Sequence, residues 1–342
     1  MTKVGLKKLG TTLSRRDMAG LLLASAPLLA AGVDARAQSR RQQAATPAAK
    51  GPPGKVPAGR TQIVDFLASP FPYDGKVPDR DTPFYDATKD GRRGHTSPRG
   101  GFYPESPTYT DRRVLLHIGA GFNSSKPAAL VVFLHGNRAT LMRDVRNRQR
   151  VPAQFDASGI NGVLVAPQFA LDALDSSAGR FWEPNFFTDF LNEAASRLGE
   201  MTKMSGSVFR SMPVILVAYS GGYNPAAYAL QIGGAAGRLY GVILLDALFG
   251  EHERFVNWLV NRRNDAFFVS AYGPSSRAEN ATMKRMLAQR GLRPRDGRPT
   301  VLSPGSIWFL DAGNAEHNDF VTRAWVPDPL KVLLSQIPEF KR

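Results

Sequence analysis

The sequence contains no cysteine, so disulfides, thiolate metal sites and a cysteine nucleophile are all excluded. Histidine is scarce, five in 342 residues, which leaves few candidates for a general base or an imidazole metal site. Acids are under-represented: 29 Asp and Glu against 44 Lys and Arg give a formal charge of +15. No apolar run after residue 38 is long enough to span a bilayer, and there is no internal repeat. Apolar content is ample, with 43% hydrophobic residues and 20 Phe, so the chain has the material for a large core.

The first 37 residues have the layout of a cleavable export signal. A basic stretch (Lys3, Lys7, Lys8, Arg15, Arg16) precedes a short apolar run from Met18 to Val33, which ends in Ala35-Arg36-Ala37. Cleavage is expected after Ala37. The pair Arg15-Arg16 after Ser14 resembles the twin-arginine signal, so the Tat export machinery is an expected partner and the periplasm or exterior the expected location. Residues 1–37 carry six Lys or Arg and two acids, and their removal leaves +11. The basic clusters "MRDVRNRQR" (143–150 for the arginines) and "RGLRPRDGR" (290–298) lack interleaved aromatics. They read as solvated faces and not as a nucleic-acid platform. Residues 38–60, rich in Gln, Ala, Pro and Gly, read as a disordered linker, and 61–342 as the folded domain. Within it, residues 60–110 are expected to form an irregular leader with a short strand or two.

From residue 112 dense apolar runs alternate with helical patterns. The runs are 112–118, 129–136, 162–169, 214–219, 240–250, 266–273 and 306–313. They are continuous and β-branched, as strands covered on both faces must be. Helices are expected over 186–204, 225–232, 253–261, 280–289 and 328–336. This alternation predicts an α/β layer fold, with functional groups beyond the carboxyl ends of a mostly parallel sheet.

Those strand ends carry chemistry. "VILVAYSGGYNPAAYAL" (214–230) runs from a buried strand through "A-Y-S-G-G" into an Ala-rich helix, with Pro225 acceptable in the first turn. Small-x-Ser-x-small at such a break matches a nucleophile elbow: the turn is tight, the hydroxyl is exposed, and helix amides stand behind it. Upstream, "VVFLHGNRAT" ends a strand in His135-Gly136. With these two motifs the chain resembles the α/β-hydrolase superfamily of serine esterases and lipases, over about residues 115–334.

The resemblance implies an α/β-hydrolase fold, with helices on both faces of the sheet, and no metal or cofactor. Ser220 is then the nucleophile, and the amides of Asn137 and Gly221 form the oxyanion hole, although Asn137 and Ala218 depart from the usual glycines. His135 is structural in this reading. The base must follow the serine, and His317, past the last apolar run, is favoured over His252 in a charged helix start. Asp246, ending an uncharged run, is the favoured acid, since a buried carboxylate there needs a partner. Glu279, Asp311 and Asp319 remain alternatives, and an N-cap role is open for Asp246. Specificity is expected from 171–187, with Phe181, Trp182, Phe186 and Phe187, and from 272–304. Arg138 is a candidate for meeting an anionic substrate.

The expected activity is cleavage of a small-molecule or lipid-like ester through an acyl-enzyme. The alternatives are an amidase or cell-wall hydrolase, and a non-catalytic envelope binding protein on the same scaffold.

Overall fold

The computed structural model describes residues 58–342, so the expected signal and nearly all of the expected linker lie outside the described residues. Nine strands form the central sheet. Numbering only these, they are β1 Arg60–Asp65, β2 Arg113–Ile118, β3 Ala129–Leu134, β4 Gly162–Pro167, β5 Val214–Tyr219, β6 Leu239–Leu245, β7 Phe267–Tyr272, β8 Arg295–Asp296 and β9 Ile307–Asp311. Their order across the sheet is β1-β2-β4-β3-β5-β6-β7-β9-β8. β2 runs antiparallel to both β1 and β4, and every pairing from β4 to β8 is parallel. A mostly parallel sheet in this order, with helices on both faces, is an α/β-hydrolase fold.

The strands form where the sequence is most apolar because both of their faces are covered. All six residues of each of β3, β4, β5 and β7 are buried. Alternate residues point to opposite layers, as the pleat dictates. Leu130, Val132, Leu216 and Val242 join one core cluster, and Val131, Phe133, Ile215 and Ile243 join the other. Six α-helices of seven or more residues cover these faces: α1 Val151–Ala157, α2 Phe186–Thr202, α3 Tyr223–Gln231, α4 His252–Asn261, α5 Arg277–Gln289 and α6 Pro329–Ser335. α2 to α5 pack on the first layer, while α1 and α6 pack on the second. Among the described residues no helix is long and apolar enough to cross a membrane.

The leader is more ordered than its composition suggests. The first strand begins at Arg60, and two small antiparallel sheets follow, one pairing Lys76–Val77 with Thr82–Pro83 and one built from Ala87–Lys89, Arg92–Thr96 and Phe102–Pro104. Phe66, Phe71, Phe84 and Tyr109 of the leader are fully buried, with the Phe84 and Tyr109 rings 5.0 Å apart, edge to face. Each such side chain contributes about 1.5–3 kcal/mol of burial free energy, enough to fix a segment with few long strands.

The parallel register aligns the strand ends that matter. Leu134 lies opposite Ala218, Tyr219 opposite Leu245, and Tyr272 opposite Asp311. The loops after β3, β5, β6, β7 and β9 therefore leave from one edge, although their residues are far apart in sequence. An N-cap role for Asp246 does not apply, because the next helix starts at His252.

Candidate active site

Ser220 follows β5 directly and opens a single 3-10 turn, Ser220–Gly222, ahead of α3. Its φ of 53° is in the left-handed region, a strained conformation for a residue with a Cβ and the one a nucleophile elbow requires. The glycines around it are dictated by the loop after β3. A Cβ on Gly222 would stand 2.3 Å from the Leu134 carbonyl oxygen, and one on Gly221 would stand 2.1 Å from Asn137 Oδ1. From the other side, a Cβ on Gly136 would stand 2.7 Å from the Ser220 Cβ. The two loops thus touch backbone to backbone. The methyl of Ala218 is fully buried, so alanine is accommodated where the motif usually has glycine.

His317 lies in the loop after β9, at the start of a short 3-10 turn. Its Nε2 is 2.7 Å from Ser220 Oγ, and its Nδ1 is 2.6 Å from Asp246 Oδ2. The histidine side chain is 33% exposed, whereas that of Asp246 is fully buried. Tyr219 stacks on the imidazole with ring centres 5.3 Å apart, and its hydroxyl donates to the His317 carbonyl oxygen at 3.2 Å. Phe249 meets the ring edge to face at 5.7 Å. The imidazole is therefore held by packing as well as by its two polar partners.

Burial by itself would push the Asp246 carboxyl up, because desolvation penalises the charged form. Hydrogen bonds from His317, Ser275 and Ser276 outweigh it and hold the group below the ordinary carboxylate range. Both serine hydroxyls donate closely to the carboxylate, and the Gly273 amide adds a bond at 3.3 Å. Since the ionised Asp246 can only accept, Nδ1 of His317 carries its proton and Nε2 is free to accept one from Ser220.

The other three carboxylates considered from the sequence point elsewhere. Glu279 is 3.0 Å from His252 Nε2 but off its hydrogen-bonding direction, Asp311 is 2.9 Å from Arg277, and Asp319 is 3.1 Å from Arg323. Neither is His252 part of the cluster.

His135 is almost fully buried beside the site. Phe169 N donates to its Nε2 at 2.9 Å, so Nδ1 bears the proton and donates to the Gly136 carbonyl at 2.7 Å. Burial holds its pKa below the ordinary imidazole value, which keeps it neutral. Gln168, also buried, accepts from Leu141 N and donates to the Ala139 carbonyl, both at 3.0 Å. These two side chains fix the loop that carries Asn137. Asn137 Oδ1 in turn accepts from Ser176 Oγ at 3.1 Å. Arg138 is exposed, with φ 56°, and is anchored through its backbone to Ala173.

A cavity of about 360 Å³ opens beside the elbow, lined by Ser176, Ser177, Trp182, Tyr223 and Asn224 on one side. Ser176 Oγ would lie 2.7 Å from a Cβ on Gly221, which places that wall against the elbow. Of the four aromatics expected from 171–187, only Trp182 lines the cavity; Phe181, Phe186 and Phe187 are core residues. No lining residue comes from 272–304, where Ser275 and Ser276 support Asp246 instead. The leader supplies much of the remaining lining, through Val77, Pro78, Asp79, Arg80, Pro98 and Arg99, while Ser220, Asp246 and His317 adjoin the cavity without lining it. Sequence reasoning did not foresee the leader's part in that lining. Among the described residues no three His, Asp or Glu side chains are grouped to hold a metal ion.

No protein-family model matches the chain, and neither does any curated protein sequence. Solved structures similar to it include a feruloyl esterase module from Clostridium thermocellum, at 14% identity over 80% of this chain and 98% of that one, TM-score 0.44. An S-formylglutathione hydrolase from Agrobacterium tumefaciens is similar at 9% identity over 83% and 98%, TM-score 0.42. An esterase from Thermogutta terrifontis is similar at 9% identity over 61% and 80%, TM-score 0.38.

Proposed function

We propose that this protein is an exported serine hydrolase that cleaves carboxylic esters through an acyl-enzyme. One observation carries the reading: a continuous relay from Ser220 Oγ through both nitrogens of His317 to a buried, ionised Asp246, at 2.7 and 2.6 Å. A loop histidine, a strand-end aspartate and a strained serine have no structural need to meet in this way. Together they provide what an unactivated hydroxyl lacks, a nearby base and a group that orients it.

In this reading Ser220 Oγ attacks the ester carbonyl carbon while its proton passes to His317 Nε2. Asp246 stabilises the resulting imidazolium and keeps it oriented. The oxyanion is held by the backbone N–H groups of Gly221 and Asn137, whose loops are in contact at Gly136 and Gly221. Collapse breaks the bond to the alcohol, which leaves with the proton from Nε2. Water then gives a proton to Nε2 as it attacks the acyl carbon, and collapse releases the acid while Nε2 returns that proton to Ser220 Oγ. Export through the twin-arginine route, by way of Arg15 and Arg16, and a periplasmic or secreted location belong to the same proposal.

A fluorophosphonate probe tests the chemistry. The folded protein is expected to be labelled and to hydrolyse a 4-nitrophenyl ester, while Ser220→Ala takes no label and loses kcat by on the order of 10⁶-fold. Folded wild-type protein that takes no label would sink the proposal and leave a binding protein on a hydrolase scaffold.

A further inference from the structure

The charged groups that line the cavity differ in how they are committed. Every carboxylate on it already has a partner. Asp79 accepts from Arg254 at 3.3 Å, and Glu251 accepts from Arg254 at 2.6 Å and from Asn224 at 3.4 Å. Asp175 is buried and accepts from the hydroxyls of Tyr109 and Ser177, both at 2.9 Å. Arg80 and Arg99 line the same cavity, and neither guanidinium has an ion pair or hydrogen bond among the described residues. Asp79 and Glu251 share the one guanidinium of Arg254 and Asp175 is held by neutral hydroxyls, so Arg80 and Arg99 are the charged groups on the lining whose side chains have no hydrogen-bond partner of their own among the described residues.

Both arginines sit on braced turns. The Arg80 amide donates to the Val77 carbonyl at 3.3 Å inside a two-stranded hairpin, and that hairpin is tied to α4 through Asp79 and Arg254. The Arg99 amide donates to Ser97 Oγ at 3.2 Å, and the same Oγ donates to the Leu174 carbonyl at 2.7 Å. Leu174 immediately precedes the Asp175-Ser176-Ser177 floor of the cavity. Arg99 is also near enough to Tyr223 to oppose the upward push that burial and Glu251 exert on its phenol. Tyr223, in the helix that follows the elbow, and Trp182 supply flat apolar surface on the same cavity.

We propose that the substrate is an anionic ester: its non-reacting part carries a carboxylate or similar oxyanion that Arg80 and Arg99 bind, with its apolar portion against Trp182 and Tyr223. This rests on the serine-hydrolase reading. A guanidinium offers a planar fork that matches a carboxylate, and the forks of Arg80 and Arg99 are unoccupied by any side chain among the described residues.

Two matched pairs of esters test it. 4-Nitrophenyl hemiglutarate against 4-nitrophenyl butyrate places the charge on the acyl side, and 4-acetoxybenzoate against phenyl acetate places it on the alcohol side. In one pair the charged ester is expected to have the higher kcat/KM, by about tenfold and chiefly through KM, the size of a charge-assisted contact in a half-open site. The ratio is expected to fall towards one in Arg80→Gln/Arg99→Gln, and in high salt, where the field is screened. Arg146→Gln/Arg293→Gln, which removes the same two charges outside the cavity, is expected to keep it. A charged ester preferred in neither pair, or a preference that survives the double replacement, overturns the inference. If Ser220 still takes the fluorophosphonate label, that failure leaves the hydrolase reading standing; folded enzyme that takes no label brings down both.

Discussion

At Asp246 a fully buried carboxylate is held ionised by four donors, from His317, Ser275, Ser276 and Gly273. Its folded pKa lies below the unfolded value of about 3.9, so it stabilises the fold above that pH and loses this contribution as pH falls through the folded value. Ser275→Ala/Ser276→Ala removes two of the donors. The double variant is expected to lose about 2–4 kcal/mol at pH 7 in chemical denaturation, with the gap from wild type closing below about pH 3.9. A gap that is constant with pH would show that the hydroxyls act by packing alone. These two serines were not legible in the sequence. They come 29 and 30 residues after Asp246, in a Gly-Pro-Ser-Ser stretch that reads as a solvated turn. Ser220 was legible because its signal is local: strand, tight turn and helix follow one another within 17 residues. His317 was found because so few histidines follow the serine, and only the folded chain shows its distances.

At the scale of elements, the contact between the loop after β3 and the turn after β5 sets the site. It leaves no space for side chains, and glycine is required there by close approach more than by conformation. Gly222→Ala places a methyl 2.3 Å from a backbone oxygen that a side-chain rotation cannot move away. The expected cost is about 1–3 kcal/mol, seen as a melting temperature lower by several degrees, together with a fall in kcat as the serine shifts. An unchanged melting temperature would mean that the two loops separate freely. Seven of the nine strands of the sheet and five of the six helices were readable from apolar runs and their spacing; Arg295–Asp296, two residues in a basic stretch, was not. The leader was not, because Phe66, Phe71, Phe84 and Tyr109 are scattered among Pro, Gly and Asp with no period of 2 or 3.6. What orders them is aromatic packing at long range, which a single sequence does not display.

For the whole molecule, the absence of cysteine and the aromatic-rich core point in one direction. The fold needs no oxidising compartment to be completed, so it can form before transport, as the twin-arginine route requires. Arg15→Lys/Arg16→Lys is expected to leave uncleaved, folded protein inside the cell, read by fractionation and by the mass of the N-terminus. Normal processing at Ala37 and normal export in that variant would rule this route out.

The leader has one further consequence. Ser220, Asp246 and His317 all come from the sheet's loops, whereas Arg80 and Arg99 belong to a stretch that ends before β2. In the anionic-ester proposal the reacting groups, with Trp182 and Tyr223, and the two anion-binding arginines thus come from consecutive parts of the gene. Recombination near residue 111 could exchange one ester preference for another in a single crossover, provided the incoming segment brings aromatics to fill the four buried ring positions.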